Sequence, residues 1–74
     1  MSASACRCKE GIEQVIGMLE AGVKATELSR VTVNWLEDVR SDVPSRDCLA
    51  WHYNSMILLE SLLTAIKPLE SVDV

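Results

Sequence analysis

The chain has 74 residues, a formal net charge of −4 and a hydrophobic content of 49%. That length corresponds to one small domain, taken here as residues 1–74, and the hydrophobic content argues against intrinsic disorder. The seven Lys and Arg residues are spread along the chain, mostly beside acids. Phosphate contacts need clustered basic residues, so the sequence predicts no binding to nucleic acid.

The longest run of large apolar residues, Met56–Leu59, ends at Glu60. A membrane-spanning helix needs about 20 predominantly apolar residues, and no apolar segment near the start resembles an export signal. We therefore expect no contact with a membrane. Residues 1–7 are expected to form a flexible tail.

The three cysteines are Cys6, Cys8 and Cys48. They cannot all pair within one chain, and Cys6 and Cys8 are too close for an ordinary bridge. Reduced thiols in the cytoplasm are the simplest interpretation. A single disulfide between two chains is the alternative.

Residues 8–21 have the periodicity of an amphipathic helix. Its apolar face consists of Ile12, Val15, Ile16 and Leu19. Charged and amide side chains lie on the opposite face. Gly11 and Gly17 each lower the helix propensity by about 1 kcal/mol relative to Ala, which weakens the helix without changing its buried face.

Residues 27–41 give the most regular helical pattern, with Thr26 as the expected N-cap. The apolar stripe consists of Leu28, Val31, Thr32, Trp35, Leu36 and Val39. Trp35 lies at the centre of this stripe. The pattern therefore predicts that its indole anchors the core.

Residues 46–67 form the third predicted helix, which Ser45 can cap and Pro68 should end. Its apolar side chains fill an arc of about 160°, wider than the ~100° stripe of an ordinary surface helix. The arc consists of Cys48, Trp51, His52, Met56, Leu58, Leu59, Leu62, Leu63 and Ile66. Such breadth predicts contact with two neighbouring helices, or a core shared between two chains.

The first two segments meet at Gly22, where a continuous helix would have to exchange its buried face for its exposed one. A break at this point lets both apolar stripes face one core. The sequence therefore predicts an all-α fold, a small antiparallel three-helix bundle. The alternative is one long helix folded against the third, a hairpin that dimerises into a four-helix bundle.

No motif indicates catalysis or a cofactor. Cys48 and His52 are one helical turn apart, as in thiol–imidazole nucleophiles, but both lie within the apolar arc, where a Cys is usually inert. With Cys6 and Cys8 they would also make a Cys₃His set suited to structural zinc, although a Cys-x-Cys spacing is a weak signal. We expect no enzyme and no metal, with the zinc-stabilised domain as an alternative, and a His52 that is buried and held by one hydrogen bond.

With catalysis, metal binding and nucleic-acid binding disfavoured, the remaining functional hypothesis is a surface that binds another protein. Apolar residues at the margin of the third helix are candidates for an interaction surface: Leu49, Trp51, Tyr53, Ile57 and Leu58. The sequence thus predicts a small non-enzymatic protein–protein interaction module, an adaptor, inhibitor or assembly subunit, that docks through a helix face and self-associates as a homodimer or larger homo-oligomer. A further alternative is an acidic mimic of nucleic acid that inhibits a nucleic-acid-binding protein.

Overall fold

The computed structural model describes residues 6–72, and three α-helices make up most of them. The helices are α1 (Arg7–Glu20), α2 (Ala25–Ser41) and α3 (Leu49–Ile66). All three pack against one another, and no strand occurs within residues 6–72. The predicted all-α three-helix bundle is confirmed. None of these helices has both the length and the apolar content that a membrane span requires.

The chain breaks between α1 and α2 at Gly22, as predicted, so the long-helix alternative is wrong. Gly22 has a φ of 75°, in the left-handed region that glycine adopts without steric cost. The Gly22 amide donates to the Leu19 carbonyl and the Val23 amide to the Met18 carbonyl. These are the two hydrogen bonds of a Schellman motif, which satisfies the last carbonyls of a helix.

Three helix ends differ from the prediction. The second helix begins at Ala25 with Lys24 at the N-cap position, so Thr26 lies inside its first turn. The third begins as a 3₁₀ turn, Arg46–Cys48. At its far end a 3₁₀ segment, Lys67–Val72, continues directly from α3. Pro68 does not end the helical chain, because a proline near the start of a segment interrupts few hydrogen bonds.

The core is built from all three helices, and α3 contacts both others as its wide apolar arc predicted. The buried apolar side chains are Cys8, Ile12, Val15, Leu28, Leu36, Val39, Leu59 and Ile66. Ile16 and Leu19 were expected there but are 42% and 45% exposed. The buried face of α1 is centred on Val15, and Ile16 lies about 100° away from it around the helix.

Trp35 packs at the margin of the core rather than at its centre. Its ring is half-buried, and its Nε1 donates a hydrogen bond to Gln14 Oε1 at 2.8 Å. A Cβ atom on Gly11 would lie 2.7 Å from two carbons of this ring. The absence of a side chain at Gly11 therefore gives the indole of α2 room to pack against α1.

A disulfide joins Cys6 to Cys48, with Cα atoms 5.6 Å apart. The expectation of three reduced thiols is therefore wrong, and only Cys8 among them is free, in the core. The expectation of a flexible tail over residues 1–7 is wrong for its last two residues, because Cys6 is bonded to Cys48 and Arg7 begins α1. Residues 1–5 lie outside the described part of the chain.

The disulfide also defines how α1 and α3 run. Cys6 directly precedes α1, and Cys48 directly precedes α3. The bond therefore links the starts of α1 and α3, and these two helices are parallel. The helix between them in the sequence, α2, runs in the opposite direction. The bundle has an up-down-up order, with α1 and α3 aligned from the bonded end.

The disulfide closes a loop of 42 residues, so we expect its loss to lower the free energy of unfolding by about 4 kcal/mol through the added entropy of the unfolded chain. Thermal unfolding with and without a reducing agent measures this. The melting temperature of wild type and of Cys8→Ala should fall on reduction, whereas that of a Cys6→Ser/Cys48→Ser double variant should not change. An unaffected wild type would contradict the bond.

The two glycines of α1 should respond oppositely to alanine. Gly17→Ala meets no atom within 4 Å and should raise the free energy of unfolding by about 1 kcal/mol through helix propensity. Gly11→Ala gains the same propensity but must displace the Trp35 ring, an overpacking cost of about 1–3 kcal/mol. Urea denaturation should show Gly11→Ala to be the less stable variant; equal stabilisation of both would contradict the Trp35 contact.

Candidate interaction surface

The four residues of the zinc hypothesis do not form a metal site. The disulfide uses two of the three thiolates that a Cys₃His site requires, and no cluster of three or more potential ligands exists between residues 6 and 72. The zinc-stabilised alternative is therefore wrong for this fold. The same bond removes Cys48 as a nucleophile for His52, because only a thiolate attacks.

His52 is buried as predicted, but the expected hydrogen bond is not found at Nδ1, which has no partner among the described residues. The Ser55 hydroxyl, on the next turn of α3, is likewise buried and unpaired. Thr32 on α2 is also fully buried, but its Oγ1 donates to the Leu28 carbonyl at 2.7 Å. Of these buried polar side chains, Thr32 therefore has a hydrogen-bond partner, whereas His52 Nδ1 and the Ser55 hydroxyl have none among the described residues.

The polar cleft between α1 and α2 has its cations already paired. The cleft is about 440 Å³ in volume, and the Trp35 ring and the side chains of Arg7 and Arg30 are among the groups that line it. Arg7 pairs with Asp38, and Arg30 pairs with Glu27. The hydrogen bond and then the charge of Asp38 raise the pKa of Arg7. Both guanidinium groups thus have a carboxylate partner, and the cleft offers no unpaired base to an anion.

The exposed side of α3 differs from the rest of the surface in its lack of charge. Its eighteen residues, Leu49–Ile66, include one charged residue, Glu60. That carboxylate accepts a hydrogen bond from Arg40 of α2 at 2.8 Å. The other two helices each carry several acids and bases. Apart from Glu60 and its arginine partner, the solvent side of α3 is thus an uncharged surface on a charged protein.

All five predicted interaction residues are exposed, by 41–62%, but they lie on two flanks of α3. The Arg40–Glu60 pair marks the flank beside α2. Leu49, Tyr53 and Ile57 follow one another at four-residue spacing on that side and extend onto the outer face. We call these three residues the α3 ridge.

The remaining two candidates, Trp51 and Leu58, lie on the flank beside α1. The ammonium of Lys9 lies over the Trp51 ring, 5.2 Å from its centroid, which is a cation–π contact. Because Lys9 belongs to α1, this contact identifies the α1 side of α3. The sequence could not divide the five residues in this way, since an arc on a helical wheel does not show which helix covers each edge.

An apolar cavity that the sequence did not indicate lies at the end of the bundle away from the disulfide. Its volume is about 370 Å³, and it lies between the α1–α2 turn and the final 3₁₀ segment. Large apolar side chains line it: Leu19, Val23, Leu28, Ile66, Leu69 and Val72. Leu69 and Val72 were missed because Pro68 was expected to end the ordered helix.

The unpaired hydroxyl of Ser55 should make this residue replaceable. Ser55→Ala removes a buried oxygen that has no partner, so the free energy of unfolding should rise by about 1 kcal/mol. Thr32→Val is the matched contrast, because it removes a hydrogen bond that is formed and should lower stability by about 1 kcal/mol. Chemical denaturation of both variants tests this; a clear loss of stability in Ser55→Ala would mean that its hydroxyl has a bonding partner.

The chain was compared with known proteins by sequence and by fold. No protein-family model, curated protein or solved structure matches it. What the protein does has therefore to be inferred from its own side chains.

Proposed function

We propose that this protein is a small, non-enzymatic protein–protein interaction module that self-associates through the outer face of α3. The observation that supports this most directly is the α3 ridge, Leu49, Tyr53 and Ile57. Its side chains are exposed by 41%, 59% and 62% on a helix whose single charge is already paired. Exposed apolar side chains grouped on an uncharged surface are typical of protein contacts.

A second copy of the chain fits this face. The protein carries a net charge of −4, so two copies repel each other over most of their surfaces. The outer face of α3 is the exception, because its one charged residue, Glu60, is already paired with Arg40. Self-association through this face therefore avoids the repulsion that contacts elsewhere on the surface would bring.

The sizes of the side chains on the same face also suit self-association. Side chains four residues apart form a ridge that packs into a groove on a facing helix. Ala50 and Asn54, in the row beside the α3 ridge, have smaller side chains, and we expect the ridge of a second copy to pack over them. A symmetric dimer needs such a self-complementary surface, because each copy contributes the same patch.

The disulfide bears on where the module works. The expectation of a cytoplasmic protein rested on three reduced thiols and on the lack of a recognisable export signal, and the Cys6–Cys48 bond removes the first of these reasons. Disulfides persist in oxidising compartments and are rare in the cytosol. We propose that the disulfide-bonded form acts in an oxidising environment.

The acidic-mimic alternative gains no support from the described surface. A mimic of nucleic acid requires a contiguous array of unpaired acids. Here Lys and Arg are interspersed with the acids along the chain, and three of the acids, Glu27, Asp38 and Glu60, each bind an arginine. The interaction module is the better-supported function.

Self-association is tested by sedimentation equilibrium of the oxidised protein across micromolar to high micromolar concentrations. We expect a dimer, and we expect Ile57→Ser to raise its dissociation constant at least tenfold, because burying an Ile side chain contributes about 1.5–3 kcal/mol and each dimer loses two. Val43→Ser is the matched control, since Val43 is 89% exposed in the α2–α3 loop and should leave the dimer unchanged. A wild type that remains monomeric at every concentration would refute the proposal.

A further inference from the structure

The α3 ridge is symmetric about Tyr53. Leu49 lies four residues before Tyr53, and Ile57 lies four residues after it. A row of side chains that is evenly spaced about its middle residue can meet an inverted copy of itself, because a two-fold axis at that residue brings each end of the row opposite the other end. In this arrangement Leu49 of one copy meets Ile57 of the other, and the two Tyr53 side chains lie side by side.

A charged residue extends the ridge at each end. Before the ridge, Arg46 begins the 3₁₀ turn Arg46–Cys48, and the Leu49 amide donates a hydrogen bond to the Arg46 carbonyl. Side chains three residues apart in a 3₁₀ turn lie on the same side, so Arg46 is in line with Leu49. After the ridge, Glu60 lies three residues beyond Ile57 on the same side of α3. The two ends of the row thus carry opposite charges.

The two charged residues lie at nearly equal distances from Tyr53. Glu60 is seven residues of α-helix after Tyr53, or about 10.5 Å at a rise of 1.5 Å per residue. Arg46 is four residues of α-helix and three of 3₁₀ helix before Tyr53, or about 12 Å. The difference of about 1.5 Å is small beside the length of an arginine side chain, so a two-fold axis at Tyr53 brings Arg46 opposite Glu60 of the second copy.

Both charged groups can accommodate a further partner. Arg46 is exposed and takes part in none of the ion pairs found between residues 6 and 72. Arg40 donates to one oxygen of Glu60, Oε2. Because each oxygen of a carboxylate accepts hydrogen bonds, Arg40 holds the Glu60 side chain in place and leaves Oε1 to a second arginine.

These charges favour an antiparallel pair of α3 helices over a parallel one. In a parallel pair, Arg46 would meet Arg46 and Glu60 would meet Glu60, so both ends would juxtapose like charges. The antiparallel pair places opposite charges together at both ends, which fixes the register and disfavours the wrong pairing. Asp47 is the remaining charged residue between Arg46 and Ile66, and it lies about 120° around the 3₁₀ turn from Arg46, to the side of the row.

We propose that two copies of the chain pack with their α3 helices antiparallel about a two-fold axis at Tyr53, and that Arg46 of each copy binds Glu60 of the other. This inference rests on the self-association proposed above and adds its orientation, its register and the residue that selects them. The α3 ridge supplies the apolar contact but permits either orientation. Arg46 therefore specifies the second copy and the direction in which it docks.

The first test is sedimentation equilibrium of the oxidised Arg46→Glu variant at low ionic strength, where charge pairs are screened least. We expect its dissociation constant to rise at least tenfold above that of wild type. Lys24→Glu is the matched control, because it makes the same change of net charge beside the apolar cavity at the far end of the bundle, and we expect it to raise the dissociation constant no more than about twofold. Equal effects of the two variants on a wild type that dimerises would overturn the antiparallel pairing and leave self-association standing.

A charge exchange tests the pair itself. Arg46→Glu/Glu60→Arg keeps the net charge of −4 and again brings opposite charges together in the antiparallel dimer. This double variant should dimerise at least tenfold more tightly than Arg46→Glu or Glu60→Arg alone, and circular dichroism checks that all three variants remain folded. A double variant as weak as either single variant would overturn the contact between Arg46 and Glu60.

A distance measurement determines the orientation without changing any charge. A nitroxide is attached at Ala65→Cys in a Cys8→Ala background, with the Cys6–Cys48 bond kept oxidised. Ala65 is exposed and lies twelve residues after Tyr53, so electron–electron double resonance on the antiparallel dimer should find the two labels about 36 Å apart along the helix axes. A parallel dimer places both labels at one level, separated mainly by the distance of about 10 Å between packed helices, and that shorter distance would overturn the proposal.

Discussion

The disulfide between Cys6 and Cys48 is the constraint on which the rest of this structure depends. It bonds the residue before α1 to the residue before α3, so the two helices start together and run in parallel. The contact of Lys9 with Trp51 one turn later follows from that alignment. For a chain of this size the bond also removes much of the entropy of the unfolded state, which a core of few large side chains alone would have to offset.

The composition of α3 explains why this small bundle leaves apolar side chains exposed on both flanks of one helix. A helix that only closed a three-helix bundle would need one apolar face and would carry charges on the other. Instead α3 is apolar on both flanks and has one charged residue, Glu60. The buried face of this helix meets the core through Leu59 and Ile66. Apolar side chains on its two flanks, Ile57 and Leu58 among them, remain in contact with water.

The buried polar groups of α3 stand apart from these surfaces. His52 Nδ1 and the Ser55 hydroxyl lie in the core without partners among the described residues, which reduces the stability of the fold because buried polar groups lose their hydrogen bonds to water. Sequence reasoning placed His52 in the core correctly. It expected a partner there because most buried polar groups have one, and a partner across a core depends on distances that helical periodicity does not contain.

The sequence by itself determined the three helices, the break between the first two and the uncharged character of the third. Each of these depends on neighbours within a few residues: the 3.6-residue spacing of apolar side chains, the conformational freedom of Gly22, and the charges within one segment. Only the tertiary structure decided that Cys6 pairs with Cys48, that Lys9 lies over Trp51, and that Trp35 packs over Gly11. These features join residues more than twenty positions apart, and whether such residues meet depends on how the helices are aligned in space.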